Sequence, residues 1–350
     1  RPPNRCTAMR HSTFLWFILP SLTAMIVFIA LPLVSVVVQS LHVEHAQVLR
    51  VVQSCGPFGC TDDTVIDRAA TQALREAQPL GRFVGLQNYL DRNHLAVAEL
   101  QAAWAQAPDW ADFTRRVMTL PFWRAMAFTL TFTFVVTPLV LALGLVVALA
   151  VNAIPRALRG PTIFVSLLPM IVTPLVGSLI LFWMVDARGI LGYALRWASG
   201  DPDLSVKASP LLTWIMLMVY GVWSSAPFAF IVFYAGLQTV PSETLEAAMV
   251  DGASRWQRIR YVVIPHLMPL AVFVTLIQLM DNFRVLEPIV GFQAQANATS
   301  LSYNIYNFLR GDAPQFNAAA TTSLLTVIGV MILLSPVVLR TWRDFNRKRA

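Results

Sequence analysis

The sequence Val240-Pro-Ser-Glu-Thr-Leu-Glu-Ala-Ala-Met-Val-Asp-Gly-Ala-Ser-Arg-Trp-Gln-Arg-Ile-Arg-Tyr-Val-Val-Ile-Pro265 separates two long apolar segments and is itself amphipathic. Pro241 and Ser242 are typical of the first residues of a helix. The carboxylates of Glu243 and Glu246 favour the positive end of a helix dipole. The stretch therefore predicts a short helix at its start.

A second short helix is predicted after a turn. Gly252 permits a sharp turn, and Trp256 and Ile259 continue an amphipathic pattern until Pro265 redirects the chain into the next apolar segment. Two short helices at an angle fit a groove in a partner protein. The residues taken alone equally allow a connector that rests on lipid headgroups.

The rest of the chain is too apolar for water. Of its residues 56% are apolar and only 13% are charged, with a mean hydropathy of +0.60, whereas soluble domains carry about 25% charged residues. This composition excludes a cytosolic enzyme. A helix needs about 20 mostly apolar residues to cross about 30 Å of hydrocarbon. Six segments meet that requirement and predict an all-α polytopic membrane protein: Phe14–Leu41, Phe122–Val151, Pro161–Val185, Leu211–Leu237, Ile264–Val290 and Ala318–Leu339.

The first segment is expected to be a membrane anchor. It follows a basic stretch, as a signal peptide would, but its apolar run is longer than the roughly 7–15 residues of a signal-peptide core. No small-x-small cleavage site follows Val38.

Basic residues indicate the orientation of the segments, because Lys and Arg are enriched in cytoplasmic loops. The segment 42–121 holds seven arginines and nine acidic residues, so we place it outside. Both termini are then cytoplasmic, as an even number of spans requires. The net charge of +7 follows this topology and does not call for a nucleic-acid partner. Half of the 26 basic residues lie in four short inner segments: Arg1, Arg5, Arg10, Arg156, Arg159, Arg255, Arg258, Arg260, Arg340, Arg343, Arg347, Lys348 and Arg349.

This topology divides the chain into four parts. Residues 1–41 form the cytoplasmic N-terminus and first helix, residues 42–121 an outer cap, residues 122–343 a five-helix core, and residues 344–350 a basic tail. Within the cap, Asp67–Gln78 and Leu95–Arg116 predict amphipathic surface helices.

Cys55 and Cys60 lie in the outer segment as Cys-Gly-Pro-Phe-Gly-Cys, a spacing short enough to close a disulfide in an oxidising compartment. Two free thiols are the alternative. A metal site is a weaker interpretation, since only His42 and His45 are near. Cys6 is left alone on the reducing side.

Motifs for energy-coupled or catalytic chemistry are missing from the sequence. A phosphate-binding P-loop needs a Gly-Lys pair, and neither Lys207 nor Lys348 follows a glycine. The chain contains no His-Glu-x-x-His helix and no Gly-x-Ser-x-Gly elbow. We therefore expect no catalytic residue, no metal site and no cofactor in this chain.

Polar residues within the fifth segment are candidates for a solute path, because ionisable groups in a bilayer usually face a cavity or a partner. The alternative for the charged members is a self-neutralised ladder of i,i+3 pairs. Aromatic rings of the fourth segment are further candidates, against the alternative of packing or interface anchoring, which we expect for Trp183 and Trp197. The candidates are Gln278, Asp281, Asn282, Arg284 and Glu287, with Trp223, Phe228 and Tyr234.

The loop resembles a known motif. Glu246-Ala247-Ala248, then Asp251-Gly252-Ala253 and finally Ile264-Pro265 are similar to the EAA loop of binding-protein-dependent ABC importer permeases. Further similarities point to the carbohydrate-uptake branch of that family, the maltose, trehalose and glycerol-phosphate permeases. They comprise Phe83-Val-Gly-Leu-Gln-Asn-Tyr89, Trp223 with Pro227-Phe228, and Ala235-Gly-Leu-Gln-Thr-Val-Pro241.

The sequence departs from the family pattern at three places. Ile264 replaces the usual Leu, Ser224 replaces a frequent Lys, and the stretch Val48–Leu80 is longer than usual. The second departure concerns substrate identity, and the third concerns docking of the binding protein.

The resemblance implies an ABC type I importer permease in a bacterial inner membrane. Glu246–Gly252 would be the coupling helix, with Glu246 anchoring it and Gly252 supplying its turn. ATP and Mg²⁺ would bind to a dimer of separate ATPase subunits. The other implied partners are a second, different permease chain, a periplasmic solute-binding protein and the bilayer.

Two other classes of protein fit the sequence less well. A transporter driven by an ion gradient is expected to show inverted repeats and helices broken at the midplane, and it has no need of an amphipathic loop of this kind. An intramembrane enzyme would need a nucleophile and base or a metal site, and the sequence offers neither.

Overall fold

A computed structural model describes residues 11–45, 48–56, 59–311 and 314–347. The chain divides into two compact units, residues 1–96 with 308–324 and residues 97–307 with 325–350. The described residues are mostly helical, as predicted.

The first unit begins with a long apolar helix and continues into short strands and helices. Its elements up to residue 96 are α1 (His11–Met25), α2 (Leu31–Ser40), β1 (His42–Val43), β2 (Leu49–Gly56), β3 (Gly59–Ile66), α3 (Arg68–Ala77), β4 (Arg82–Phe83) and α4 (Gln87–Leu90). A π-helical segment, Ile26–Ala30, joins α1 to α2. Pro32 is the second residue after that segment. Because its ring clashes with the carbonyl four residues earlier, at Phe28, a widened turn at this place accommodates it.

The part of the first unit that follows α2 contains strands that helical periodicity did not predict. β2 and β3 form an antiparallel hairpin that pairs Leu49 with Ile66 and Gly56 with Gly59, and β1 pairs with β4. The β-branched residues of β2 and β3 favour extended backbone. The helix predicted at Asp67–Gln78 is confirmed as α3, whose N-cap Asp67 accepts a hydrogen bond of 3.0 Å from the amide of Ala70.

Asn88 joins three parts of the first unit. Its Nδ2 donates to the hydroxyl of Thr321 at 2.8 Å and to the carbonyls of Ser40 and His42 at 3.2 and 3.3 Å. The hydroxyl of Tyr89 donates to Ser40 Oγ at 2.6 Å. The Phe83–Tyr89 motif thus ties the end of the first helix to the start of the last one.

The second unit contains the bundle. The remaining elements of the chain are α5 (Val97–Gln106), α6 (Trp110–Val117), α7 (Pro121–Ala153), α8 (Arg156–Ile171), α9 (Pro174–Val185), α10 (Ile190–Ser199), α11 (Pro210–Leu237), α12 (Ser242–Val250), α13 (Arg255–Arg258), α14 (Ile264–Phe283), α15 (Glu287–Gly291), α16 (Leu301–Arg310) and α17 (Phe316–Arg347). The predicted surface helix Leu95–Arg116 is thus two helices, α5 and α6, separated at Pro108.

Helices α7, α11 and α14 pack around a core that includes Phe128, Phe132 and Phe230. A Cβ built on Gly144 of α7 would lie 2.6 Å from Cβ of Ala229 on α11. The backbones therefore approach closely at this point, as is common where small residues line helix interfaces in membranes.

The prediction of six spans needs correction in two places. Within the described residues, five continuous helices have the length and apolarity of a span: Trp16–Ser40, Pro121–Ala153, Pro210–Leu237, Arg255–Phe283 and Phe316–Arg343. The third predicted span is α8 and α9 bent by 91°, because Pro174 disfavours helical backbone at Thr173, whose ψ is 142°. The fifth begins earlier than predicted and ends at Phe283 instead of Val290.

Candidate functional site

The loop between α11 and α14 begins with α12 and ends that helix at Gly252. Gly252 has φ +78°. Its amide donates to the carbonyl of Met249 at 3.1 Å, and the amide of Ala253 donates to the carbonyl of Ala248 at 2.9 Å. This hydrogen-bond pair is a Schellman motif, which satisfies the last carbonyls of a helix and depends on a left-handed residue. The predicted turn at Gly252 is therefore present.

The second helix of the loop starts at a capping box. Ser254 Oγ accepts from the amide of Gln257, and the Gln257 side chain accepts from the amide of Ser254 at 2.7 Å. The helix does not end at Pro265 as predicted. It continues through a π-helical segment, Ile259–Val263, into α14. The carbonyl that would clash with Pro265 belongs to Tyr261, inside the widened segment, so the proline is accommodated without a break.

The loop exposes an apolar tip. The side chain of Val250 is 88% exposed, and those of Met249, Trp256 and Tyr261 are also exposed. Leu245 points the other way and packs against the bundle core. Glu246, Ala247 and Asp251 are exposed as well. One face of α12 therefore holds the loop on the bundle, and the other face is free for a partner.

Two of the polar candidates in α14 are buried inside the bundle. Gln278 and Asn282 are 4% and 5% exposed. Nδ2 of Asn282 donates to the hydroxyl of Thr137 on α7 at 3.0 Å. Oε1 of Gln278 is buried without a hydrogen-bond partner among the described residues. Burial of such a group without a hydrogen bond costs free energy, unless another molecule donates a hydrogen bond to it.

The charged candidates lie at the end of α14 and are exposed. Arg284 pairs with Asp281 at 2.9 Å, which confirms one of the two predicted i,i+3 pairs. The other predicted pair, Arg284 with Glu287, is not among the ion pairs that the described residues form. The reason is that α14 ends at Phe283 and Glu287 starts the separate helix α15, so helical i,i+3 geometry does not extend to it.

The three aromatic candidates on α11 differ in exposure. Trp223 is 47% exposed, with its ring 5.9 Å from that of Tyr220. Phe228 and Tyr234 are half-buried and pack against the core. Of the three, Trp223 is the most accessible to a solute or a neighbouring chain.

A polar cluster around Lys207 was not anticipated from the sequence. Its Nζ lies 2.8 Å from the carboxylate of Asp186 and 3.3 Å from the ring centre of Phe182. Asn297 Nδ2 donates to the carbonyl of Lys207 at 2.7 Å. The hydrogen bond from Lys207, with one from the amide of Arg188, lowers the pKa of Asp186. The feature of the sequence that could have pointed to this cluster is the rarity of lysine, since Lys207 is one of only two lysines in the chain.

Cys55 and Cys60 lie at opposed positions in the hairpin. The backbone register places Cys55 directly across from Cys60. Directly opposed residues of antiparallel strands have Cα atoms about 4.5–5.5 Å apart, within the range of a disulfide. The side chains of both lie outside the described part, so the disulfide stays a prediction.

Similarity to known proteins identifies the family. The sequence profile of the family described as "Binding-protein-dependent transport system inner membrane component" matches residues 117–342. A trehalose/maltose transport system permease protein of Thermococcus litoralis is 26% identical over 321 residues, covering 90% of this chain and 88% of that protein. An sn-glycerol-3-phosphate transport system permease protein of Rhizobium meliloti is 32% identical over 184 residues, covering 51% of this chain and 62% of that protein.

A solved structure shows the same fold. A chain of a bacterial alginate ABC transporter, in complex with an alginate pentasaccharide-bound periplasmic protein, superposes with a TM-score of 0.57 at 21% identity, covering 71% of this chain and 88% of that chain. The predicted type I importer fold and the resemblance to binding-protein-dependent importer permeases are confirmed. Because the family profile matches more than half of the sequence, this chain belongs to the family of inner-membrane components of binding-protein-dependent transport systems.

Proposed function

We propose that this chain is a permease subunit of an ATP-driven importer whose solute is a sugar or a sugar-like molecule. Its relatives are named as permeases for trehalose and maltose, for lactose and for sn-glycerol 3-phosphate. All of these solutes are small and carry several hydroxyl groups, which supports that substrate class here.

The observation that carries the proposal is the exposed apolar tip of the loop. Val250 and Met249 stand exposed on α12, a helix whose other face is fixed to the bundle through Leu245. An apolar tip on a rigid helix fits a hydrophobic groove. The occupant of that role in a binding-protein-dependent importer is the ATPase subunit.

In this proposal the chain binds no cofactor and catalyses no reaction. ATP and Mg²⁺ bind to two ATPase subunits, and closure of that pair moves α12 and with it the bundle. A second, different permease chain completes the pathway, and both termini lie in the cytoplasm.

The solute path is proposed to pass the exposed candidates Trp223, Asp281, Arg284 and Glu287. Gln278 and Asn282 belong to it only in a state in which α14 separates from α7, since both are buried in this one. The unpaired oxygen of Gln278 supports that possibility, because a sugar hydroxyl would satisfy it.

Substitution of Val250 tests the proposal. We expect Val250→Asp to reduce uptake of radiolabelled maltose at least about tenfold in vesicles that contain the complete transporter, because a carboxylate would be buried without a partner in the groove. ATP hydrolysis stimulated by the liganded binding protein should fall in parallel.

Ile190→Asp is the control. Ile190, at the start of α10, is 78% exposed, so an introduced carboxylate there should leave uptake intact. Unchanged uptake and ATPase stimulation in Val250→Asp would refute the docking role. Uptake by this chain alone, without an ATPase, would instead support a transporter driven by an ion gradient, of which the broken pair α8–α9 is a suggestive feature.

A further inference from the structure

The corner between α5 and α6 holds a small, partly open cavity. Its volume is about 180 Å³, below the roughly 300–1,000 Å³ of pockets for drug-sized ligands. It therefore suits one ring-sized ligand. The lining residues are Trp104, Ala107, Pro108, Asp109, Trp110 and Phe113.

Three aromatic rings of this corner meet edge to face. The ring centres of Trp104 and Trp110 are 5.4 Å apart, those of Trp104 and Phe113 are 5.3 Å apart, and those of Trp110 and Phe113 are 5.6 Å apart, with interplanar angles of 74°, 88° and 85°. Rings at right angles do not cover each other's faces. Trp104 and Trp110 remain 61% and 69% exposed, so open aromatic faces are held in fixed positions.

The rim of the corner offers the carboxylate of Asp109 and the guanidinium of Arg116, which neighbouring side chains hold in place. Asp109 is the N-cap of α6, and one of its oxygens accepts from the amide of Asp112 at 2.8 Å, which leaves the other oxygen free to accept. Arg116 bridges Asp112 and Gln106, at 2.6 and 3.2 Å. A carboxylate beside aromatic faces matches a ligand with both C–H faces and hydroxyl groups.

The position of the corner favours a soluble ligand over lipid. The corner lies just before α7 in the sequence. Helix α7 has 33 residues and is therefore about 50 Å long, which exceeds the hydrocarbon thickness of about 30 Å, so part of it extends beyond the hydrocarbon. Arg124 in its first turns is exposed, and a charged side chain at that place marks this end of α7 as lying outside the hydrocarbon.

We propose that the α5–α6 corner is an accessory site for a neutral sugar ring, outside the transmembrane path. The ring stacks on Trp104 and Trp110, and a hydroxyl donates to Asp109. The site rests on the proposed carbohydrate substrate and holds the solute at the outer surface.

Binding to the purified transporter tests the site. The complex in lipid nanodiscs, without its binding protein, is titrated with maltose, trehalose and lactose, and with sn-glycerol 3-phosphate as a probe that has no ring. Saturation-transfer NMR and tryptophan fluorescence report binding. We expect at least one sugar to bind and sn-glycerol 3-phosphate to bind at least about tenfold more weakly.

Three variants locate the binding. The double variant Trp104→Ala, Trp110→Ala should weaken sugar binding at least about tenfold. Asp109→Asn keeps an N-cap residue and hence the fold of α6, and should weaken binding as well. Trp197→Ala, at a tryptophan that is 81% exposed on α10, should leave binding unchanged.

Several results would overturn the site. They are the absence of sugar binding to the wild-type complex, binding unchanged in both the double variant and Asp109→Asn, and quenching of Trp104 and Trp110 by brominated lipid. A loss of affinity for the binding protein with sugar binding intact would make the corner a protein-docking surface instead. Uptake assays with the binding protein test the proposed function separately, since uptake without binding at the corner would refute only the accessory site.

Discussion

At the residue scale, Gly252 ends α12, the proposed coupling helix, in a backbone conformation that other residues avoid. Its φ is +78°, whereas proline fixes φ near −65° and lacks the amide that here bonds to Met249. We expect Gly252→Pro to abolish uptake while the protein stays inserted, and Gly252→Ala to reduce uptake less, at a cost of about 1–2 kcal/mol for a left-handed residue. Vesicle uptake and abundance in the membrane fraction measure the two effects.

Gly200 supplies the control for that prediction. It also ends a helix, has φ +70° and, like Gly252, has open space where a Cβ would lie. Gly200→Ala should therefore cost similar stability and leave uptake intact. Transport at the wild-type rate in Gly252→Pro would remove Gly252 from the coupling mechanism.

His94 makes the first unit sensitive to acid. Its ring is buried, Nε2 bonds to the carbonyl of Ala318 at 3.2 Å, and Nδ1 has no partner among the described residues. Burial lowers the pKa of His94, although the nearby Asp91 acts in the opposite direction. The unfolded chain thus binds more protons than the folded one, and stability is lost as the pH falls below about 6.5, the ordinary pKa of histidine.

We expect thermal unfolding to occur at a lower temperature at pH 5.5 than at pH 7.5, and the difference to shrink in His94→Phe. An undiminished pH dependence in His94→Phe would show that another group is responsible.

At the element scale, the contact between α7 and α11 depends on Gly144. A methyl group there would lie 2.6 Å from Ala229 Cβ and 2.9 Å from the amide nitrogen of Phe230, so Gly144→Ala should destabilise the bundle by about 1–3 kcal/mol. Ala229→Gly should restore part of that loss in the double variant. Thermal unfolding in detergent measures both changes.

Gly160 on α8 is the matched control, because a Cβ there meets nothing within 4 Å. Gly160→Ala should be neutral or should stabilise the helix by up to about 1 kcal/mol, the difference in helix propensity. Equal destabilisation by both substitutions would contradict the importance of the α7–α11 contact.

The sequence predicted those elements whose local signals agree with the fold. Apolar length located four of the six predicted spans, whereas the third is broken and the fifth is shifted. Gly252 located the turn of the loop. Prolines were harder to interpret, since Pro174 breaks a helix while Pro32 and Pro265 are accommodated by π-helical segments. The presence of a proline alone does not distinguish the two outcomes. The burial of Asn282 against Thr137, 145 positions apart, depends on packing that no local pattern contains.

At the scale of the whole molecule, the scarcity of charge makes the placement of each charge informative. Half of the 26 basic residues were assigned to four short inner segments. The loop that carries Arg255, Arg258 and Arg260 is one of these segments. A cytoplasmic location of this loop is needed for an ATPase to bind the exposed tip of α12. The same location is needed for the predicted topology, in which both termini are cytoplasmic. An outer location of this loop would contradict both at once.

The native cysteines allow this orientation to be measured. Cys6 lies in the predicted inner segment and Cys55 and Cys60 in the outer one, where opposed positions in the hairpin favour a disulfide. In spheroplasts, a membrane-impermeant maleimide should label Cys55 and Cys60 only after mild reduction, and Cys6 only after lysis. Single-cysteine variants assign the labelled positions. Labelling of Cys6 in intact spheroplasts would reverse the topology, whereas labelling of Cys55 and Cys60 without reduction would refute the disulfide and leave the topology standing.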